Sequence, residues 1–223
     1  MSKIYNICWF KNNHWRWIIN KREPKKSKTK KTHSAIFYSK PFTICLYLLA
    51  QHPDEQTKVI NEISEIVGDR SVQFTDLTSL KYTQSTILET LRIYPPAWII
   101  AREAAEDTDL MGYKINKGEH IFISQYVTHR DEKYYKDAHV FKPNRFENGR
   151  PIDVHEYAYF PFGGGSRICI GNHFALMEAT MILVTILQKY KVLLPSESKE
   201  VELAPLITLR PKNGIKLRIQ RRL

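Results

Sequence analysis

The sequence predicts a mainly α-helical protein with small β-sheets, an α+β fold. Apolar residues recur at helical spacing in several segments, namely 44–50, 53–67, 82–94 and 172–190. Short apolar runs bounded by turn residues predict strands between residues 97 and 127. Prolines and an Asn-Gly pair divide the tail, residues 190–219, into hairpin strands. The stretch 128–161 is irregular and rich in charged residues, aromatics and prolines.

The predicted helices have recognisable ends. Ile44–Ala50 is the end of an apolar, buried helix, and Pro53 opens the next helix in its first turn. Gly68 closes that second helix, and Pro95-Pro96 stop the third. The helix over 172–190 is apolar on nearly every side, which predicts that it is buried.

Positive charge is concentrated at the N-terminus. Residues 1–40 hold eleven Lys and Arg against one acid, whereas the other 183 residues hold 23 basic and 22 acidic side chains. We therefore predict a basic arm over 1–42, disordered over 20–34, and a folded body over 43–223, because a block of like charge cannot recover its ordering entropy. The arm could contact nucleic acid or anionic lipid, but a solvated tail without a partner is favoured.

Three cysteines, Cys8, Cys45 and Cys169, lie far apart and form no disulfide framework. This usage fits a reducing compartment and favours a cytoplasmic chain. Charged and polar residues interrupt the aromatic N-terminus, and no run approaches the roughly 20 apolar residues of a membrane span. We therefore expect neither a secretory signal nor a membrane span.

The segment Phe162–Gly171 carries the strongest chemical signal. Its glycines allow unusual backbone angles and close approach to a flat group. Cys169 precedes a helix, whose N-terminal dipole favours a negatively charged sulfur, and Ile168 and Ile170 are expected to keep that sulfur dry. Such a thiolate is a good iron ligand. The alternatives are a buried core cysteine or a phosphate-binding loop, although no Lys-Ser/Thr follows the glycines.

A second pattern places a carboxylate and a guanidinium on one helix face. Glu89 and Arg92 are three residues apart, and their neighbours are almost all apolar. A surface pair would stabilise the fold by well under about 1 kcal/mol. A buried pair needs a third polar partner, for which Arg145 is the candidate.

Together these motifs resemble those of the cytochrome P-450 family. The Phe-x-x-Gly-x-Arg-x-Cys-x-Gly signature is complete at Phe162, Gly165, Arg167, Cys169 and Gly171. The Glu-x-x-Arg motif is complete, and the two prolines and a Pro-x-Arg-Phe element follow in the expected order. The resemblance runs from about residue 43 to residue 219 and implies the C-terminal portion of the family's fold.

The resemblance implies haem b (iron protoporphyrin IX) as cofactor, with Cys169 as its axial thiolate and metal ligand. It places Phe162, Gly163 and Gly171 in the cofactor-binding loop. Arg167 and Arg102 would hold the haem propionates, since a guanidinium fork suits a carboxylate. The remaining residues, Glu89, Arg92 and Arg145, would form a buried structural triad, although Asn144 stands where the family commonly has Glu.

The implied activity is insertion of one oxygen atom into an organic small molecule. Electrons would come from a redox partner, a ferredoxin or a flavoprotein reductase. Nucleic acid is not an expected partner of the body, whose charges balance.

The resemblance also implies residues that this sequence lacks. The family's chains are much longer, and an acid paired with Thr on a central helix should fall near His33–Tyr38, where neither occurs. Pro41 is expected to break that helix. We therefore expect a truncated or rearranged product without catalytic residues for oxygen activation and with impaired activity. The alternatives are a non-catalytic remnant that binds through its basic arm and a nucleotide-binding domain built on the glycine loop.

Overall fold

The structure is a computed structural model that describes residues 5–7, 10–11, 14–15, 34–151, 154–196 and 200–222, with side chains from residue 42 onward. The α-helices of these residues are α1 (Ser34–Gln51), α2 (Pro53–Ile66), α3 (Lys81–Ile93), α4 (Gln125–Thr128) and α5 (Asn172–Leu187). The strands are β1 (Tyr5–Ile7), β2 (Phe10–Lys11), β3 (His14–Trp15), β4 (Ile100–Glu103), β5 (Thr108–Leu110), β6 (Tyr113–Ile115), β7 (His120–Ile123), β8 (Tyr190–Leu193), β9 (Leu203–Pro205), β10 (Leu209–Pro211) and β11 (Leu217–Arg221). This mixture of helices and short strands confirms the predicted α+β fold.

All of the strand pairs in the described residues are antiparallel. One sheet has the order β1-β11-β8, and four further sheets pair β4 with β7, β5 with β6, β9 with β10, and β2 with β3. In the pair β4–β7, Ile100 lies opposite Ile123 and Glu103 lies opposite His120. Between β5 and β6, Gly112 adopts a φ of 89°, which a tight turn between two strands permits for glycine.

The core lies where α1, α2, α3 and α5 meet β8. Its side chains include Leu49, Ile63, Leu80, Leu183 and Leu187, all completely buried. The buried Gln56 donates to the carbonyl oxygens of Leu49 (3.0 Å) and Val192 (2.9 Å) and accepts from the Val192 N–H at 2.9 Å. The side-chain amide of Gln56 thus joins α2 to α1 and β8, and its oxygen and its nitrogen are both hydrogen-bonded.

The expectation that Pro41 breaks the first helix is wrong. Helix α1 continues through that position, from Ser34 to Gln51. A proline removes one backbone hydrogen bond and kinks a helix, but packing of the following turns can maintain the helix. Those turns are apolar and buried from Ile44 to Ala50, as predicted.

Helix α5 is only partly buried, contrary to the sequence prediction. Ala175, Leu183 and Leu187 face the core, whereas Phe174 is 55% and Ile182 37% exposed. An apolar helix needs a covering element on each side to be buried throughout. The described residues pack against one side of α5.

The predicted disordered segment, residues 20–34, lies outside the described residues except for Ser34, which begins α1. The division into an arm over 1–42 and a body over 43–223 stays a prediction, and α1 runs across that boundary. No helix in the described part of the chain is long and apolar enough to cross a membrane.

Candidate functional site

A cavity of about 640 Å³ opens between α3, β4, α5 and the loop that precedes α5. Most of its walls are aliphatic or small, and these include Ile87, Leu91, Ala97, Ile100, Ala175 and Leu176. Four of the residues predicted as cofactor-binding line it as well: Cys169, Phe162, Gly163 and Arg167. Arg102, the fifth, enters from β4. The fold thus brings residues from distant parts of the sequence to one apolar concavity.

The cysteine loop is shaped by a short hydrogen-bonded turn. The Cys169 N–H donates to the Phe162 carbonyl oxygen at 2.9 Å, which closes the loop. Within it, Gly165–Arg167 form one 3₁₀ turn, and Gly163 has a φ of 77°, a conformation that side-chain-bearing residues rarely adopt. The backbone therefore holds Cys169 opposite Phe162.

The expectation that two isoleucines shield the sulfur is wrong for the described residues. Cys169 is exposed, and Ile168 and Ile170 turn outward, with Ile170 fully exposed. An apolar side chain is shielded only where another element covers it, and no described element covers Ile170. The thiol is therefore available to a ligand in the cavity rather than packed as a core hydrophobe. The other described cysteine, Cys45, is buried, and burial raises the pKa of its thiol to about 12.

Two guanidinium groups supply positive charge to the cavity. Arg102 donates from Nη1 to its neighbour's carbonyl oxygen at 2.9 Å, and neither Arg102 nor Arg167 forms an ion pair with a residue that the structure describes. The acid at this wall, Glu103, has a carboxylate oxygen 3.9 Å from His120 Nε2. Two guanidiniums without a counter-charge favour an anionic ligand.

Glu89 and Arg92 form a completely buried ion pair on α3, the helix whose Ile87 and Leu91 line the cavity. Arg92 donates from Nε and Nη2 to the two carboxylate oxygens at 2.7 and 2.8 Å. Arg145 Nε lies 3.4 Å from Glu89 Oε1, and the Lys142 N–H donates to that same oxygen at 2.9 Å. The structure thus brings the three predicted triad residues together. The Arg145 Nε is within ion-pair distance but has no hydrogen-bond partner among the described residues.

Arg92 also reaches the loop between α4 and the Pro-x-Arg-Phe element. Its Nη1 donates to the carbonyl oxygens of His129 (2.7 Å) and Ala138 (2.6 Å), and its Nη2 donates to that of Val140 (3.2 Å). Each guanidinium donor therefore has an acceptor, which is what makes a buried charge tolerable.

His129 is completely buried and was not among the residues singled out by the sequence. Its Nε2 accepts from the Phe160 N–H at 2.9 Å, so the imidazole is neutral and its proton lies on Nδ1. Burial, together with the positive charge of Arg92, lowers the pKa of His129 to about 3. Nothing local distinguishes this histidine from a solvent-exposed one, because only the fold places it beside Phe160.

Gln125, at the start of α4, is the second site residue that the sequence did not reveal. It is completely buried and lines the cavity, yet neither its Oε1 nor its Nε2 has a hydrogen-bond partner within the described chain. An unpartnered buried amide is destabilising by about 1–3 kcal/mol. A polar group bound in the cavity can satisfy it, which is one indication that the cavity is a binding site.

Gly171 is placed differently from the other predicted loop residues. It is the N-cap of α5, and its carbonyl oxygen accepts from the Ala175 N–H at 2.9 Å. It does not belong to the residues that line the cavity. Asn144, in the Pro-x-Arg-Phe element, is exposed and lies on the outer side of the 3₁₀ turn Pro143–Phe146.

The cavity and its cysteine loop are the features of a haem-thiolate protein, and comparison with known proteins establishes the family. Residues 38–218 match the sequence profile of the family described as Cytochrome P450, so the chain belongs to the cytochrome P450 family. The match begins five residues before the start that the sequence analysis predicts, inside α1. The cofactor of this family is haem b.

Similar proteins come from animals and bacteria. Cytochrome P450 4V2 of Mus musculus is 42% identical over 179 residues, which are 79% of this chain and 34% of that protein. Probable cytochrome P450 4aa1 of Drosophila melanogaster is 36% identical over 79% of this chain and 35% of its own length. Cyclooctatin synthase of Streptomyces melanosporofaciens is 36% identical over 66% of this chain and 32% of its own. The chain spans about a third of the length of the curated relatives it matches.

The residues of the cavity fit the family's cofactor. Haem is a flat, largely apolar ring with two carboxylates, and the cavity combines mostly apolar walls with two guanidiniums that form no ion pair with a described residue. The exposed thiol of Cys169 lies in the same wall. A cysteine sulfur is one of the protein groups that can ligate haem iron, so Cys169 would hold the cofactor from this wall.

Proposed function

We propose that this chain forms the haem-binding portion of a monooxygenase and that Cys169 is the axial ligand of the iron. The observation that carries the proposal is the cavity of about 640 Å³ in which an exposed cysteine and two guanidiniums share walls that are mostly aliphatic or small. A core cysteine would be buried, as Cys45 is. A phosphate loop would lack the apolar walls and would need no thiol.

Arg102 and Arg167 are proposed to pair with the two propionates. They enter the cavity from β4 and from the cysteine loop, so the two charges are presented by separate elements. A carboxylate accepts two parallel hydrogen bonds from a guanidinium, which fixes orientation as well as charge. The ring would then lie against the aliphatic walls and Phe162.

The residues of this chain have three tasks in the proposed mechanism. When bound, haem supplies the activation of dioxygen and the transfer of one oxygen atom to the substrate. Cys169 would hold the iron through its sulfur, and a thiolate ligand would supply the electron density that favours O–O cleavage. The aliphatic residues exclude water from the ring, and the Cys169 N–H to Phe162 bond fixes the direction of the sulfur.

The complete reaction is proposed for the protein as a whole. Its substrate would be an organic small molecule, and its electrons would come from a ferredoxin or a flavoprotein reductase. The alternative of a binding module acting through the basic arm depends on residues outside the described ranges, so no contact in the described body favours it.

The test is an absorption spectrum of the purified chain with added haem, reduced and exposed to carbon monoxide. We expect a long-wavelength Soret band that is lost in Cys169→Ala and kept in Cys45→Ala, a matched change at the buried cysteine. Haem uptake with a histidine-like spectrum that Cys169→Ala leaves unchanged would contradict the proposal. Absence of any haem uptake by the folded chain would contradict it as well.

A further inference from the structure

We infer that His129 is a positioning residue for Cys169, through which the buried Glu89–Arg92 pair sets the place of the cysteine loop. The inference rests on the proposed function in so far as Cys169 is the iron ligand. The contacts that support it join α3 to the cysteine loop through His129. Its backbone carbonyl oxygen accepts from Arg92, and its ring accepts from the backbone at the start of the loop.

The backbone of His129 is fixed by the ion pair. Arg92 Nη1 donates to the His129 carbonyl oxygen at 2.7 Å, and Arg92 is itself held by two hydrogen bonds to Glu89. All three residues are completely buried. A displacement of His129 would leave a buried guanidinium donor without its acceptor, which is destabilising.

The ring of His129 fixes the beginning of the loop. Its Nε2 accepts from the Phe160 N–H at 2.9 Å, and the ring meets Phe160 edge-on with centroids 5.2 Å apart. Two residues later, the Phe162 carbonyl oxygen accepts from the Cys169 N–H at 2.9 Å. Hydrogen bonds therefore link the ion pair to His129, His129 to Phe160, and Phe162 to Cys169. The two residues from Phe160 to Phe162 are joined by the backbone.

Two neighbouring bonds hold the same segment without a hydrogen bond to the ion pair, although the ring of one donor, Tyr135, contacts the Arg92 guanidinium at 5.0 Å from the ring centroid. The Tyr135 hydroxyl donates to the Ala158 carbonyl oxygen, and the Tyr159 hydroxyl donates to the Leu88 carbonyl oxygen, at 2.9 and 2.8 Å. They fix the segment before Phe160. His129 accepts from the backbone N–H of Phe160, which is nearer to Cys169 in the sequence than Ala158 and Tyr159 are.

The acceptor role requires a neutral imidazole. Charged groups near the ring are Arg92 of α3 and Arg130, the next residue, and both oppose a second positive charge. The facing Tyr159 is half-buried, and burial raises the pKa of its hydroxyl, which therefore stays neutral. The geometry therefore keeps Nε2 free to accept at neutral pH.

The experiment compares His129→Leu, which deletes the acceptor, with His129→Gln, whose Oε1 can occupy the position of Nε2. The matched control is His155→Leu, because His155 also accepts a backbone N–H, from Tyr157 at 3.2 Å, but is exposed. Circular dichroism checks that each variant folds. Backbone hydrogen–deuterium exchange over residues 160–169 is measured on the chain without cofactor, and the carbon monoxide spectrum is measured with haem.

We expect exchange over 160–169 to become about tenfold faster in His129→Leu, the effect of one lost buried hydrogen bond. His129→Gln should return to within about twofold of the wild type, and the His155 control should not change. With haem, the thiolate-type band should weaken in His129→Leu and recover in His129→Gln.

Wild-type exchange in His129→Leu would overturn the inference, as would a glutamine variant that behaves like leucine. Absence of a thiolate-type band from the wild type would overturn the proposed function. The exchange rates are measured without haem, so they decide separately whether His129 positions the loop.

Discussion

Replacement of Arg92 by methionine should destabilise the fold severely. The change removes five hydrogen bonds, two to Glu89 and three to backbone carbonyl oxygens of 129, 138 and 140. It leaves a completely buried carboxylate whose remaining partners are the Lys142 N–H at 2.9 Å and Arg145 at 3.4 Å. Breaking a buried ion pair from one side costs about 3–5 kcal/mol. Three buried carbonyl groups also lose their hydrogen-bond donor. We therefore expect Arg92→Met to lower the free energy of unfolding by an amount at the upper end of that range, about 5 kcal/mol.

The assay is urea unfolding of the purified chain followed by circular dichroism, with linear extrapolation to the free energy of unfolding. The matched control is Lys58→Met, because Lys58 and Glu55 have the same spacing along a helix and an N–O distance of 3.0 Å, but the lysine is half exposed. A solvent-exposed pair contributes less than about 1 kcal/mol. Stabilities of small domains are about 5–15 kcal/mol, so we expect Arg92→Met to unfold at much lower urea than the wild type, or without urea, while Lys58→Met remains folded.

The reasoning would be refuted by a loss of less than about 1 kcal/mol in a folded Arg92→Met variant. Such a value would mean that water or neighbouring groups replace the guanidinium at no cost. A loss equal to that of Lys58→Met would carry the same meaning, since burial is what separates the two pairs.

Three further outcomes are expected. In the folded chain His129 stays neutral down to about pH 3, whereas in the unfolded chain it binds a proton near pH 6.5. Between these pH values the unfolded state therefore binds more protons than the folded state. The free energy of unfolding should accordingly fall by about 1.4 kcal/mol for each pH unit below about pH 6. Urea unfolding of the wild type and of His129→Gln at pH 7 and pH 5 measures this, and equal slopes would contradict it. Gln125→Leu should stabilise the chain without cofactor by about 1–2 kcal/mol, because it removes an unpartnered amide from a buried site, and a loss of stability would show that the amide is satisfied. Gly163→Ala should destabilise by about 1–2 kcal/mol because φ is 77°, whereas Gly164→Ala, in extended backbone, should change little; equal unfolding midpoints for both would argue against a strained loop.

Much of the secondary structure was predictable from local patterns. Pro53 and Gly68 bracket α2 nearly as expected, since α2 ends at Ile66 and Gly68 adopts a φ of 58°. Helix α3 ends at Ile93, just before the two prolines. These signals act within one turn of backbone, so no tertiary information is needed to interpret them.

The errors have a common physical cause. The fate of Pro41 depends on packing of the helix that follows it, and the exposure of Ile170 and Phe174 depends on which surfaces other elements cover. A sequence pattern reports that a residue is apolar but not whether another element covers it.

The sequence by itself identified the family and singled out Cys169 as the candidate iron ligand. Both follow from short motifs, the spacing from Phe162 to Gly171 and the pair at Glu89 and Arg92, which are visible in contiguous residues. Only the tertiary structure decided what surrounds them. It placed Arg102 in the wall that holds Cys169 and buried His129 between the ion pair and the loop. Contacts across tens of residues arise from packing, in which burial of many apolar side chains outweighs the preference of any one polar residue for water.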